Sequence, residues 1–155
     1  MSEVASVPGG KASAGEALPP IQEGVFVGPD AEGTLALIGS GCADCGQMMF
    51  PIRARCVKCF GGALNNHRFD RQGRVVTFTV IRQAPPGFFG SVPYALGMVE
   101  LEAGVQVLTH LVGKPPESWK AGDIVESCGM SLPLDPRAER YGQAFAFRPS
   151  SEIQQ

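Results

Sequence analysis

Charge, histidine and large aromatic side chains are scarce in this chain. Lys, Arg, Asp and Glu together make up 18% of its 155 residues, and there are two His, one Trp and two Tyr. No window approaches the roughly 18 uninterrupted apolar residues that a membrane span requires, so no spanning segment is expected. The first twenty residues, MSEVASVPGGKASAGEALPP, hold neither a basic start nor an apolar run. They do not read as a secretory signal, and a cytoplasmic location is expected. The formal net charge is −2. Duplex nucleic acid usually demands a basic domain, so that class of partner is disfavoured. A convergent acid, base and nucleophile cannot be picked out, which speaks against an enzyme acting alone.

Chain breakers are abundant. Twenty Gly and thirteen Pro leave little room for long helices and point to short strands joined by turns. Thr34–Ile38 reads as a strand running into the first cysteine. Val75–Ile81 is β-branched and follows the turn signal Arg71-Gln72-Gly73. Tyr94–Leu101 and Val105–Val112 form a hairpin around Glu102-Ala103-Gly104, with Gly104 at a left-handed position. One helical turn is expected over Pro115–Trp119. Asp123–Cys128 is a further strand, and Ala144–Phe147 closes the sheet. Gly97 inside its strand reads as a bend or bulge at a barrel corner. The fold class is therefore mostly β, with about five strands of a small barrel.

Charge is uneven. Residues 1–33 hold one Lys and five acids, whereas 34–62 hold three basic residues and one acid. Residues 63–100 hold four Arg and two acids. The middle of the chain is thus mildly basic, enough for a phosphate-bearing small molecule or an acidic partner. Residues 1–20 read as a flexible tail. Ile21, Val25, Phe26 and Val27 cluster behind it, suited either to a groove on a partner or to this chain's own body.

Five cysteines in a reducing compartment point to metal or free thiols rather than disulfides. Cys42-Ala43-Asp44-Cys45 and Cys56-Val57-Lys58-Cys59 are two C-x-x-C pairs separated by ten residues. Two such pairs place four thiolates for tetrahedral coordination, the arrangement of a structural zinc site, although rubredoxin-like iron uses the same ligand set. A redox pair would explain one C-x-x-C and not two. With four sulfurs bound, no coordination position is left for chemistry. Gly46 relieves the turn after the first pair, whereas Phe60 occupies that place after the second. Arg53, Arg55 and Lys58 offset part of the negative charge of a four-thiolate centre. Cys128 lies in a strand pattern and reads as a small buried hydrophobe. His67 is expected at the junction of ribbon and barrel, and His110 at the surface or core edge.

Leu37 to Pro149 resembles a family that joins a rubredoxin-like zinc ribbon to an OB-fold domain. The resemblance rests on Ile38-Gly39-Ser40, the two cysteine pairs, Phe50-Pro51, Arg53 and Thr77–Val80. It continues through Pro85-Pro86-Gly87-Phe88, Pro93-Tyr94, Val99–Leu101, Gly122-Asp123 and Phe147-Arg148-Pro149. Val57, Phe60 and a longer insert over Pro136–Ala144 depart from the family pattern. The resemblance implies a ribbon over 34–63 and a five-stranded OB barrel over 64–150, and composition leaves a tail over 1–33 and a C-terminal tail over 151–155. It implies one structural Zn2+ held by Cys42, Cys45, Cys56 and Cys59. It also implies a non-catalytic subunit of acyl-CoA enzymes, above all thiolases, in a hetero-oligomer whose partner supplies nucleophile and base. One such thiolase-associated protein belongs to anaerobic aromatic-hydrocarbon degradation, where a β-oxoacyl-CoA is cleaved. On this view Phe88 and Phe89, two aromatics on a proline-stiffened loop, contact the partner or the acyl-CoA path. Arg82 beside them faces coenzyme A phosphates. A nucleic-acid-binding ribbon and OB module is the alternative, since both folds are common there.

Overall fold

The structure, a computed structural model, describes residues 18–150 apart from 136 and 138. The expected tails over 1–20 and 151–155 lie outside the described residues, except for 18–20. Five strands close a barrel: β5 (Gln72–Ile81), β6 (Tyr94–Glu100), β7 (Gln106–Leu111), β8 (Ile124–Asp135) and β9 (Arg140–Pro149). They neighbour one another in the order β5-β6-β7-β9-β8, and β5 returns to β8 through Gln72–Arg74. All pairings are antiparallel except β7 with β9. This is the expected OB barrel.

Closing so small a barrel bends its longest strands. On β5 the bend is a bulge between Val75 and Thr77, opposite Val99 and Met98 of β6. The bulge is therefore at Val76 and not at Gly97. Gly97 faces inward, where a Cβ would meet Leu111 Cδ1 at 2.5 Å. Gly73 is a second departure from the sequence reading. It lies inside β5, not in a turn before it, because a Cβ there would meet Val99 Cγ1 at 2.6 Å. Both glycines mark close approach of strands rather than turns. Gly104, with φ 76°, and Ala103, with φ 60°, make the expected left-handed corner between β6 and β7. The short helical turn covers Pro116–Ser118.

The ribbon's sheet is built around β2 (Ala36–Cys42). It pairs with β1 (Phe26–Val27), β3 (Met48–Met49) and β4 (Leu64–Arg68). The ladder of β2 with β4 carries the ribbon's sheet past residue 63 as far as Arg68. Residues on the two halves of β2 enter different cores. Leu35, just before the strand, and Leu37 are buried with Val99, Leu111, Trp119, Val125 and Phe147 of the barrel. Cys42, at the far end, belongs to a small cluster with Met49 and Cys56. The Ser127 hydroxyl donates to the Leu35 carbonyl, which ties the start of this path to β8.

Apart from β1, residues 18–33 are irregular yet attached. Val25 is buried, its carbonyl accepts the Ile38 N–H at 2.8 Å, and Phe26 packs against the barrel core. Ile21 and Val27 are exposed. Of the two fates expected for this cluster, Val25 and Phe26 take the one inside their own chain. Asp30 fixes the following turn. Its Oδ1 accepts the Glu32 and Thr34 N–H groups, both at 3.0 Å, and the Thr34 hydroxyl at 2.9 Å, while Arg71 lies 3.2 Å from Oδ2. These contacts, the Thr34 hydroxyl foremost, hold its carboxyl below the ordinary value. A folded-state value below the unfolded one gives stability that is complete above about pH 4 and lost as pH falls through the folded value. Asp30→Asn should therefore lower the urea midpoint at pH 7, and the gap to wild type should narrow at pH 3. An unchanged gap would remove the carboxylate from this account.

Candidate metal centre and barrel face

Two knuckles bring the four cysteines together. The first follows β2: Gly46 N–H donates to the Cys42 carbonyl at 2.9 Å, with Gly46 at φ 80°. The second is closed by Phe60 N–H donating to the Cys56 carbonyl at 3.0 Å. Phe60 sits at φ 64° and is 71% exposed. A non-glycine residue in that region costs about 1–2 kcal/mol. The four sulfurs lie within 4.8 Å of one another, Cys42 to Cys59 at 3.7 Å and Cys45 to Cys56 at 3.6 Å. The Cys59 and Lys58 N–H groups point at Cys56 Sγ from 3.5 and 3.3 Å and bring that thiol down to about 6. At Cys59 the Gly61 N–H favours the thiolate, but the Cys42 sulfur and burial outweigh it and push the thiol up to about 12.

Four thiols packed this closely cannot all ionise without a cation among them. The donor set, the spacing and the tetrahedral grouping fit Zn2+ held by Cys42, Cys45, Cys56 and Cys59. Bound there, the metal supplies fold stability and, with all its positions filled by sulfur, no open site. Arg55 Nη1 donates to the Phe60 carbonyl at 3.2 Å, bracing the second knuckle. Gly61 gives that knuckle room, since a Cβ would meet Asp44 Oδ2 at 3.1 Å and Cys59 Sγ at 3.4 Å.

The loop between β5 and β6 separates the two phenylalanines that the sequence reading paired. Phe88 folds over Gly90 and against Tyr94, ring centroids 4.9 Å apart, and Tyr94 stacks on His110 at 5.0 Å. Burial keeps the His110 imidazole below its ordinary value. Phe89 is 52% exposed. Neither ring belongs to the barrel core. Phe88, Tyr94, His110, Lys114 and Met130 help to line a cavity of about 180 Å³, and Phe89 borders the same cavity. Arg82 does not line it; its guanidinium is held by Glu117 at 2.9 Å. Lys114, paired with Asp123 at 3.0 Å, is the cation at this cavity, and the sequence reading did not single it out. The Pro115–Trp119 turn beside it was the available signal.

The remaining candidates are structural. Cys128 is buried, and burial raises its thiol to about 11. His67 of β4 meets Glu102 of the β6–β7 corner and packs edge-on to Phe69 at 4.8 Å, joining ribbon to barrel as its position implied. Among the described residues, no helix is long and apolar enough to cross a membrane.

A four-cysteine ribbon whose central strand leads out of an OB barrel defines a class of two-lobed zinc protein. Residues 30–65 match the family described as the ChsH2 rubredoxin-like zinc ribbon domain, and residues 67–130 match the ChsH2 C-terminal OB-fold domain. A DUF35 domain-containing scaffold protein of Methanothermobacter thermautotrophicus is 32% identical over 116 residues, 74% of this chain and 87% of that one. The chain belongs to this DUF35 family of zinc ribbon and OB-fold proteins. The benzoylsuccinyl-CoA thiolase subunit BbsA of Thauera aromatica is 29% identical over 94 residues, 58% of this chain and 60% of that protein. A solved structure described as Ltp2-ChsH2(DUF35) aldolase superposes with a TM-score of 0.55 at 29% identity, covering 74% of this chain and 84% of that one.

Proposed function

We propose that this chain is a non-catalytic, cytoplasmic subunit of a thiolase-type acyl-CoA enzyme, needed for assembly or activity of a catalytic partner. The likeness to a thiolase subunit across 94 residues carries the reading. The structure adds physical support. A closed zinc centre contributes rigidity and no reaction, which suits a subunit that shapes its partner. The β5–β6 loop presents Phe89 beside an apolar cavity, a fit for a partner contact or for the acyl end of a coenzyme A ester. Lys114, at that cavity, is placed to meet a coenzyme A phosphate if it leaves Asp123; Arg82 would first have to leave Glu117.

A nucleic-acid module is the competing reading, and charge argues against it. OB barrels bind oligonucleotides on the face of their second and third strands. Here those strands are YALGMVE and QVLTHL, without a Lys or Arg.

The test is purification at native expression with identification of what is retained. A thiolase-family protein in fixed stoichiometry is expected. Phe89→Ala should weaken that complex several-fold with an unchanged thermal melt, whereas Phe88→Ala should also loosen the loop on β6. Thiolase turnover by the purified chain alone, or a gel shift on single-stranded oligonucleotides that strengthens as salt falls, would sink the proposal.

A further inference from the structure

The outer face of the barrel at β6 and β7 carries an apolar stretch, flanked by Thr77 and Thr79 of β5, where a water-facing surface would be polar. Register defines it. Thr77 pairs with Met98, which pairs with Leu108; Thr79 pairs with Leu96, which pairs with His110. Their inward neighbours on β6 are Ala95, Gly97 and Val99, all buried. On β6 the usual order is inverted, with small residues inside and Leu96 and Met98 outside. Leu108 is 63% exposed. Cross-strand neighbours on one face are about 4.5–5.5 Å apart, so Leu96, Met98 and Leu108 form one continuous patch. One end merges into the Tyr94–His110 stack and the Phe89 loop. The other closes on the Arg74–Glu100 ion pair at 2.8 Å. An apolar centre with an ion pair at its border is the anatomy of a protein interface.

We infer that this β5–β6–β7 face is the docking surface for the thiolase-like catalytic subunit, with Leu108 at its centre. The inference rests on the function proposed above and names the surface that carries it. Strand spacing of about 4.8 Å and a rise of about 3.3 Å per residue give the patch roughly 200 Å². A stable interface needs about 800 Å² on each side, so the patch alone falls short of a self-paired dimer. The adjoining Phe89 loop extends the patch, and the likeness to a thiolase subunit selects a heteromeric partner over a second copy. Arg74, at the border of this face, is held by Glu100 at 2.8 Å, which leaves little positive charge for a nucleic acid.

Leu108→Lys and the uncharged Leu108→Ser are compared with wild type and with Leu134→Lys, a change at an exposed position on β8. Each tagged full-length chain is purified at native expression, and the retained thiolase-family protein is identified and quantified by mass spectrometry. Zinc content and the thermal melt confirm folding. The expected result is at least a tenfold loss for Leu108→Lys, a smaller loss for Leu108→Ser, and none for Leu134→Lys. Equal retention by folded Leu108 variants overturns the docking surface and leaves the proposed function standing. A wild-type chain that retains no thiolase-family protein overturns both. A wild-type dimer on light scattering that Leu108→Lys or Leu108→Ser converts to monomer gives the face to a second copy and overturns the assignment.

Discussion

A Cys56→Ser chain is expected to purify with little zinc and with residues ~43–63 unprotected against amide exchange, while β5 to β9 keep theirs. The cause is the imbalance between metal and packing in that lobe. Its apolar cluster is Cys42, Met49 and Cys56, with Leu64 half-buried against it. Burying a side chain of that size contributes about 1.5–3 kcal/mol, so a handful cannot offset the ordering of twenty residues at about 1–2 kcal/mol each. Structural zinc supplies about 10–16 kcal/mol of apparent binding energy in comparable sites. Cys56 is the informative ligand because it is buried and because two backbone N–H groups are aimed at its sulfur. Replacing it by Ser puts a neutral, shorter-reaching hydroxyl where those donors met the sulfur and opens the coordination shell. Chelator should reproduce the effect in the wild-type chain and should act faster at lower pH. The sign follows from the thiols, which bind metal only after losing their protons, so acid favours release. Full protection of 43–63 in metal-free protein would show that the lobe folds without zinc.

Leu37→Ala is expected to cost about 2–5 kcal/mol, the range for deleting a fully buried leucine from a core that cannot collapse around the gap. Leu37 is 1% exposed and shares its cluster with Trp119 and Phe147. A urea titration followed by Trp119 fluorescence should show the whole loss, although the substitution lies on the strand that carries Cys42. The zinc stoichiometry should stay at one, because Cys42 sits at the opposite end of β2 and its knuckle is closed by residues 42–47. A cost below about 1 kcal/mol would mean that the site repacks and that the barrel core does not depend on the leucine.

The metal ligands were legible because thiolate chemistry and C-x-x-C spacing are local properties. The barrel strands around Val75–Ile81 and Tyr94–Leu101 were legible for a similar reason, since β-branched runs bounded by turns carry their own signal. What failed was long-range. Gly73 looked like part of a turn, and only the approach of Val99 shows why glycine is required inside the strand. Residues 136–144 read as an insert against the family pattern, and residues 129–135 carried no strand reading. In space they pair as a ladder, Leu132 with Gly142 and Pro133 with Tyr141, with Ile21 lying over Gly142. Phe88 and Phe89 were indistinguishable as neighbours in sequence, and the tertiary contact with Tyr94 separates them. The outward face of β6 was hidden by its uniform apolarity. Tyr94-Ala95-Leu96-Gly97-Met98-Val99 has no polar alternation, and only side-chain size distinguishes its two sides.

The division of β2 between two cores bears on how the lobes can be rearranged. A barrel cut free at Phe69 would keep all five of its strands and yet have an empty place where Leu35 and Leu37 sit. A ribbon transplanted from a relative would have to bring that leucine-bearing approach with it, matched in volume to the barrel that receives it. The smallest unit of exchange is the knuckles, residues ~43–63, and even these carry Met48 and Phe50, which pack against the barrel core, Phe50 meeting Phe145 edge-on at 5.8 Å. Metal binding can be tuned at the cysteines of that unit, whereas a change at Phe50 would reach the barrel.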